Sequence, residues 1–446
     1  MSRKKAGKLV KNPLLRGLSV YAAGAKTGGA MVADKALNRW LPQRNSNALL
    51  AKEAKNFARQ LGEHKGTYAK AGQMLALMGK HFLPVELTDA LHTLESDTAP
   101  IDWEFLEPSV REQLGDRYDG LDICPEPLAT ASLAQVHRAT IIATGDEICL
   151  KILYPGIAET IEADFDAVIN MLKFARWIKA SRELDDWLQK MREQIYTEVD
   201  YAREADMTEH MADLLQDDER YAVPKLYRPF CAAHILALEY MPGVAVTSDL
   251  VAALPQPRRD ALAKNMLGLF FHEVFDWSLM QTDPNFGNFK IAIGEDSDRI
   301  VLLDFGSVLT CESKFTAALG NTILAAQRQD NAAVVAGLMA LGCLRTDSTP
   351  SAQTSFANFC LHIMEPLREV DDLPPALLNA RGQYRWAESE LLKRAGKKAA
   401  KSSLTRDFDL PSQEFAFIAR KLTGVFTFIA VLKAEFNGAP LLQEHL

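Results

Sequence analysis

Apolar residues recur at helical spacing from Ala48 to about His81, with Leu61, Tyr68, Gly72, Leu75 and Met78 near one face, and this predicts a long helix. Pro84 marks a turn into a short helix over residues 85–94, and a further helix starts near Glu107 and Pro108 and runs to about Leu114. After Asp116 the period shortens. Residues 127–135, 136–143 and 147–154 read as short strands, the last two joined by Thr144-Gly145-Asp146, so a small antiparallel sheet is predicted. Two long helical patterns follow over 157–182 and 186–215, then strands over 222–227 and 234–240, closed by Pro242-Gly243. Beyond Gly243 nearly everything is helical except a hairpin-like pair near 288–293 and 300–303. No internal repeat interrupts this order. The layout predicts an α+β chain divided into a basic segment (1–47), a helical extension (48–115), a sheet-bearing lobe (116–243) and a helical lobe (244–446).

Composition narrows the class. The 446 residues are 48% hydrophobic and 24% charged, which suits a soluble globular protein and excludes fibrous, disordered and disulfide-scaffold classes. The six cysteines stand singly, with no CxxC pair and no Cys/His cluster at zinc spacing, as expected of a reducing, cytoplasmic setting. The longest uncharged run, residues 348–364, is rich in Ser, Thr, Gln and Asn and falls short of the roughly 18 apolar residues of a membrane helix. No compact apolar core follows the basic start, so export is not expected.

Charge is uneven. Residues 1–60 hold 13 Lys or Arg against 2 Asp or Glu, a net +11, whereas the remainder carries −19. The basic head reads either as a contact for an anionic membrane surface, giving a peripheral location on the inner membrane face, or as a solvated arm docked on the chain's own acidic body. Nucleic acid is set aside, because Tyr21, Trp40 and Phe57 are too few for stacking platforms. The apolar stretch 415–432, broken by Arg420 and Lys421, reads as core rather than as an anchor.

The densest chemistry lies in Gln281-Thr282-Asp283-Pro284-Asn285-Phe286-Gly287-Asn288, followed by an apolar strand and Asp304-Phe305-Gly306. An Asp and an Asn five positions apart, then a strand delivering Asp-Phe-Gly, is the order of kinase-type phosphoryl transfer. Mg²⁺ prefers hard oxygen ligands, so Asn288 and Asp304 are assigned to the metal and Asp283 to orienting a hydroxyl or water. Asp-Phe-Gly alone reads equally well as a turn; the preceding spacing carries the assignment. Upstream, Lys151 lies between apolar neighbours in Ile148-Cys149-Leu150-Lys151-Ile152, where its ammonium can pair nucleotide phosphates and an acidic residue. Glu198, Asp200 and Glu204 are the candidate partners, with Asp200 and Glu204 on one helical face, and Glu204 joins Lys151 and Asp283 in the catalytic set. Leu236 to Gly243 reads as a buried strand entering a turn, which is where a hinge would offer backbone to an adenine ring, so Glu239 and Met241 are assigned to nucleotide. The phosphate-covering hairpin, Ala129-Thr130-Ala131-Ser132-Leu133-Ala134-Gln135, has no glycine, which predicts a stiffer loop and an altered nucleotide pose.

With that Ala-rich loop, the chain resembles the UbiB (AarF-type) family of atypical kinase-like proteins. Lys70-Ala71-Gly72-Gln73 matches the family's KxGQ signature and Glu198-Val199-Asp200 its ExD signature, and the resemblance covers all but the first 40 or so residues. It implies an atypical protein-kinase-like two-lobe fold, ATP and Mg²⁺ as cofactors, and support of isoprenoid quinone (ubiquinone) biosynthesis at a membrane surface. An isoprenoid lipid or quinone precursor is the implied partner, and a homodimer is compatible. It also implies a regulatory role for Lys70, Gln73, Glu198 and Asp200, with the extension folded over the active cleft. No His-Arg precedes Asp283 and no Ala-Pro-Glu follows Asp304, which disfavours protein phosphorylation. An ATPase or small-molecule kinase is the first reading. A non-catalytic, nucleotide-gated scaffold or lipid-binding protein is the alternative.

Overall fold

The structure, a computed structural model, describes residues 46–63, 71–72, 75, 83–91, 100–174, 177–178, 182–402 and 412–446. Lys70, Gln73 and the basic head 1–45 lie outside the described residues, and with them the expectations placed on those positions. The chain divides into two compact units: Met1–Asp206 with Lys225–Tyr240, and Met207–Pro224 with Met241–Leu446.

In the first unit, helices α1 (Ser46–Glu63), α2 (Val85–Leu91) and α3 (Trp103–Leu114) precede strands β1 (Leu121–Thr130), β2 (Ala134–Ile141) and β3 (Glu147–Leu153). Then come α4 (Ile157–Phe174), α5 (Arg182–Val199) and the start of α6 (Tyr201–Leu214), whose later turns belong to the second unit with the two-residue β4 (Tyr221–Ala222), and the first unit resumes with β5 (Ile235–Glu239). The sheet runs β1-β2-β3-β5, antiparallel throughout. Along β3 the period of two sorts the side chains. Ile148, Leu150 and Ile152 are fully buried on one face with Val110 and Leu114 of α3, while Lys151 faces the other way beside Leu236, its register partner on β5. Leu236, Leu238, Tyr201 and Ala205 form the apolar cluster on that second face, so α6 covers the side that carries Lys151. A further helical layer joins α1 and α2 to α4 and α5 through Phe57, Leu87, Phe165 and Leu188. Ala71, Gly72 and Leu75 are helical and buried in the same unit.

Three expected boundaries move. The first strand begins at Leu121 rather than 127, with register shifts between Ile123 and Pro127 and between Pro127 and Ala129, because proline has no N–H for the ladder. The pattern over 186–215 is two helices. They part at Asp200, whose carboxylate accepts the Arg203 N–H at 3.0 Å and so caps α6 instead of continuing α5. The strand expected over 222–227 shrinks to β4, which stops before Pro224 and, within the second unit, pairs in parallel with β8 (Asp298–Leu302).

The second unit packs α7 (Gln256–Phe271), α8 (Ser313–Gln327), α9 (Asn331–Ala340), α10 (Pro350–Ile363), α11 (Leu391–Ser402) and α12 (Gln413–Val431) around one core. Within it, β7 (Phe289–Ile293) and β8 form the expected hairpin. A second ladder, β6 (Leu279–Gln281) with β9 (Val308–Thr310), is too short to leave an alternation in the sequence. The stretch 415–432 is core, with Leu422, Val425, Phe426, Phe428 and Ile429 buried. No helix among the described residues is long and apolar enough to cross a membrane.

Candidate active site

Lys151 is held by the sheet alternation just described. Its Nζ lies 2.6 Å from Glu204 Oε1 on α6, and the Glu204 side chain is 1% exposed. Tyr201, one turn earlier, puts its ring 5.4 Å from the same ammonium. Among the three acidic candidates the structure therefore pairs Lys151 with Glu204. Asp200 is the exposed cap of α6, and Glu198 is half-buried near the end of α5.

The Ala-rich turn is tight, its Ala131 N–H donating to Ala134 O at 2.8 Å. Ala129, Thr130, Ala131 and Ser132 lie at least partly open to solvent. Leu133 and Gln135 correct the expectation, because both side chains turn inward. Leu133 packs in the second-face cluster. Gln135 is fully buried, and its carboxamide holds the backbone of residue 101 from both sides, accepting the Ile101 N–H at 2.9 Å and donating to Ile101 O at 3.0 Å. The Gln135 amide also meets His137 Nε2 at 3.0 Å, while His137 Nδ1 meets Cys124 O at 2.8 Å. Burial holds the His137 imidazole below the usual histidine range, against the pull of its bond to Cys124 O, so it stays neutral with Nε2 accepting and Nδ1 donating. Ala134 is buried as well, at the start of β2. These three buried side chains fix the loop's base.

At the hinge-like segment, the Glu239 N–H donates to Lys225 O at 2.8 Å. In the second unit, Met241 O accepts from Lys290 Nζ at 3.1 Å. Those two backbone groups are thus already bonded within the fold.

In the second unit the β7–β8 hairpin brings Asn288 and Asp304 to the same end. Phe289 and Leu302 are register partners and Leu303 N donates to Asn288 O at 3.0 Å, which leaves Asn288 just before one strand and Asp304 just after the other. Asn288 Nδ2 donates to Asp283 O at 2.9 Å and lies 3.3 Å from Asp283 Oδ2, so the oxygen is the atom its amide can turn to a cation. Asp304 Oδ1 accepts the Gly306 N–H at 2.9 Å. Thr282 ties the two segments together, its N–H donating to Ser307 O at 2.8 Å and its hydroxyl meeting the Ser307 hydroxyl at 2.6 Å. One amide and one carboxylate oxygen donor at a hairpin end fit the hard-ligand preference of Mg²⁺.

Sequence reading missed the support behind Asp283. Arg420 Nη2 of α12 lies 2.8 Å from Asp283 Oδ1. The next residue, Lys421, is buried and reaches Glu273 at 2.8 Å and Gln281 Oε1 at 3.3 Å, while Gln281 Nε2 donates to Asp283 O at 2.7 Å. Pro284 packs directly on Gly424 of the same helix, where a Cβ would sit 2.1 Å from Pro284 Cβ. The two charges interrupting an otherwise apolar helix were the only trace of this in the sequence.

Residues 93–338 match the family described as the ABC1 atypical kinase-like domain. The chain is 26% identical over 398 residues to the probable serine/threonine-protein kinase abkA of Dictyostelium discoideum, covering 86% of this chain and 69% of that one. It is 25% identical over 410 residues to the mitochondrial atypical kinase COQ8 of Schizosaccharomyces pombe, covering 91% and 64%. Against the mitochondrial atypical kinase COQ8B of Danio rerio it is 30% identical over 295 residues, covering 65% and 46%. The chain thus spans between 46% and 69% of these relatives' lengths. Among solved structures, a Mycobacterium tuberculosis protein in complex with erythromycin shares its fold at a TM-score of 0.60 and 22% identity, with 93% of this chain and 98% of that chain covered.

Two outcomes follow from this geometry. Gly424→Ala forces Pro284 away from α12 and lowers stability by about 1–3 kcal/mol; an unchanged melting temperature would contradict the packing. Because folded His137 is held neutral while the unfolded chain takes up a proton at the ordinary value near 6.5, its contribution to stability is present above about pH 6.5 and lost as pH falls below it. Denaturant titrations across that window are expected to show a shallower acid loss in His137→Gln than in the parent chain.

Proposed function

Because this chain belongs to the ABC1 atypical kinase-like family, we propose that it binds MgATP and acts as an ATPase or small-molecule kinase supporting isoprenoid quinone biosynthesis at a membrane surface. The observation that carries the reading is the Lys151–Glu204 pair at 2.6 Å, which holds an ammonium on the sheet through a buried carboxylate. In this reading Lys151 pairs nucleotide phosphates and Glu204 fixes its position. Asn288 and Asp304 would hold Mg²⁺, which would supply positive charge against the phosphate oxygens. Asp283 orients the attacking hydroxyl or water, with its backbone fixed by Gln281 and Asn288. Ala129 to Ser132 approach the phosphates through backbone, and the hinge-like segment around Glu239 and Met241 takes the adenine. The ubiquinone assignment follows the resemblance to the COQ8 relatives, and the basic head supplies the contact with anionic lipid.

A second reading has its own observation. Arg420 Nη2 holds Asp283 Oδ1 at 2.8 Å, so a guanidinium already occupies an oxygen that would otherwise meet the attacking group. That favours a nucleotide-gated scaffold in which ATP binding, without turnover, controls a lipid or protein partner.

Phosphate release from MgATP by the full chain, with and without anionic liposomes, separates the two. Release that rises with lipid and falls to background in Asp304→Asn supports the enzyme. No release in either, with ATP still raising the melting temperature of the parent chain, supports the scaffold. Deleting residues 1–45 is expected to abolish salt-sensitive sedimentation with the same liposomes; undiminished sedimentation would remove the basic head from the proposal.

A further inference from the structure

The end of α7 does not close as an α-helix. It widens into a π-turn, His272–Asp276, in which Trp277 N donates to His272 O at 2.9 Å, and Ser278 follows with φ 53° before β6 begins. Turns of this kind recur at functional sites. Glu273 and Val274 point into the core, whereas His272 and Asp276 lie on the outer side with side chains 28% and 38% exposed. His445 comes back from the far end of the chain to meet them. Its Nδ1 lies 2.9 Å from Asp276 Oδ2, and His272 Nδ1 lies 2.6 Å from the same oxygen. Two imidazoles and one carboxylate therefore each bring a potential ligand atom to one place, all within 4.8 Å of one another.

The rings are held in place. The Trp277 ring stacks on His272 with centroids 5.4 Å apart and planes 14° apart, Phe271 packs 5.7 Å from the His445 ring, and the two imidazoles meet edge to face at 4.5 Å. His445 is only 7% exposed, while the more open Asp276 leaves one side accessible to water.

We propose that His272, Asp276 and His445 form a mononuclear site for a divalent transition metal, zinc foremost, that ties residue 445 to the π-turn. Two nitrogens and one carboxylate oxygen suit Zn²⁺, Co²⁺ or Ni²⁺ and are a poor set for Mg²⁺ or Ca²⁺, so the site is separate in chemistry from the one assigned to nucleotide-bound Mg²⁺. At metal–ligand lengths of about 2.0–2.1 Å, tetrahedral donors stand about 3.3 Å apart, so the two Nδ1–Oδ2 contacts need open by only roughly half an ångström. Each imidazole then presents Nδ1 to the metal and carries its proton on Nε2, and water completes the fourth position. The ion would clamp the turn whose inner residue, Glu273, holds Lys421.

The proposal stands apart from the kinase reading, and its test does not use ATP. The full chain is stripped with a chelator and titrated with Co²⁺ while visible absorption is followed, then with Zn²⁺ by calorimetry and thermal melting. One Co²⁺ per chain with ligand-field bands is expected, together with a rise in melting temperature on Zn²⁺, and both are lost in His445→Ala. Asp276→Asn keeps the shape of the turn and is expected to weaken Zn²⁺ binding at least tenfold, which covers the case in which the histidine variant is itself unstable. Absence of ligand-field bands in the parent chain, or the same stoichiometry and affinity in both variants, would overturn the site and leave the triad as a hydrogen-bonded pin.

Discussion

A lysine and a glutamate with 1% and 2% of their side chains exposed, Lys421 and Glu273, set the terms for the second unit. Burial holds the Glu273 carboxyl above the usual carboxylate range, and the Lys421 ammonium offsets only part of that push. Neither group is tolerable there without the other, since breaking a buried pair costs about 3–5 kcal/mol. The pair therefore fixes the rotation of α12 against the π-turn after α7. With that rotation set, Arg420 falls on Asp283, Gly424 falls on Pro284, and Gln281 bridges Lys421 to the Asp283 carbonyl. A buried ion pair thereby positions the segment on which the proposed chemistry depends.

The first unit reaches the same end by a different constraint. Alternation along β3 sends Ile148, Leu150 and Ile152 into one core and leaves Lys151 on the face covered by α6. Capping by Asp200 starts α6 where its first turn can bring Glu204 beneath the ammonium. The cap thus accounts for an acidic residue at position 200 without any contact to Lys151. A residue two positions before it, Glu198, belongs to the preceding helix and follows that helix's rotation.

Much of this was legible in the chain. The β3 alternation, the β7–β8 hairpin, Asp283, Asn288 and Asp304 all rest on short-range patterns, with a period of two or a fixed spacing, and these survive in one dimension. What stayed hidden is long-range or two-sided. Gln135 sits in a turn that reads as solvent-facing, yet its amide serves the backbone of Ile101, 34 positions away. Asp200 and Glu204 share a spacing that suggests one helical face, but the spacing cannot distinguish a cap from a first-turn residue. The ladder of β6 with β9 has three residues on each side, too few to show a period. His272, Asp276 and His445 are separated by up to 173 positions, and only a fold that returns its last residues to α7 can bring them together.

Arg420 changes how the matched region is understood. The family match ends at residue 338, and α12 begins 75 residues later, at Gln413. Asp283, inside the match, nonetheless has its carboxylate held by a guanidinium from outside it. A carboxylate so paired is better fixed in place than the motif alone suggests, and the electrostatic balance shifts whenever phosphate charge competes for the guanidinium. Phosphate oxygens arriving near Asp283 would draw Arg420 toward themselves and release the carboxylate as they did so. In the proposed function, the contact that holds Asp283 at rest is then one that nucleotide itself would relieve, so the pairing bears on when Asp283 acts as much as on whether it can.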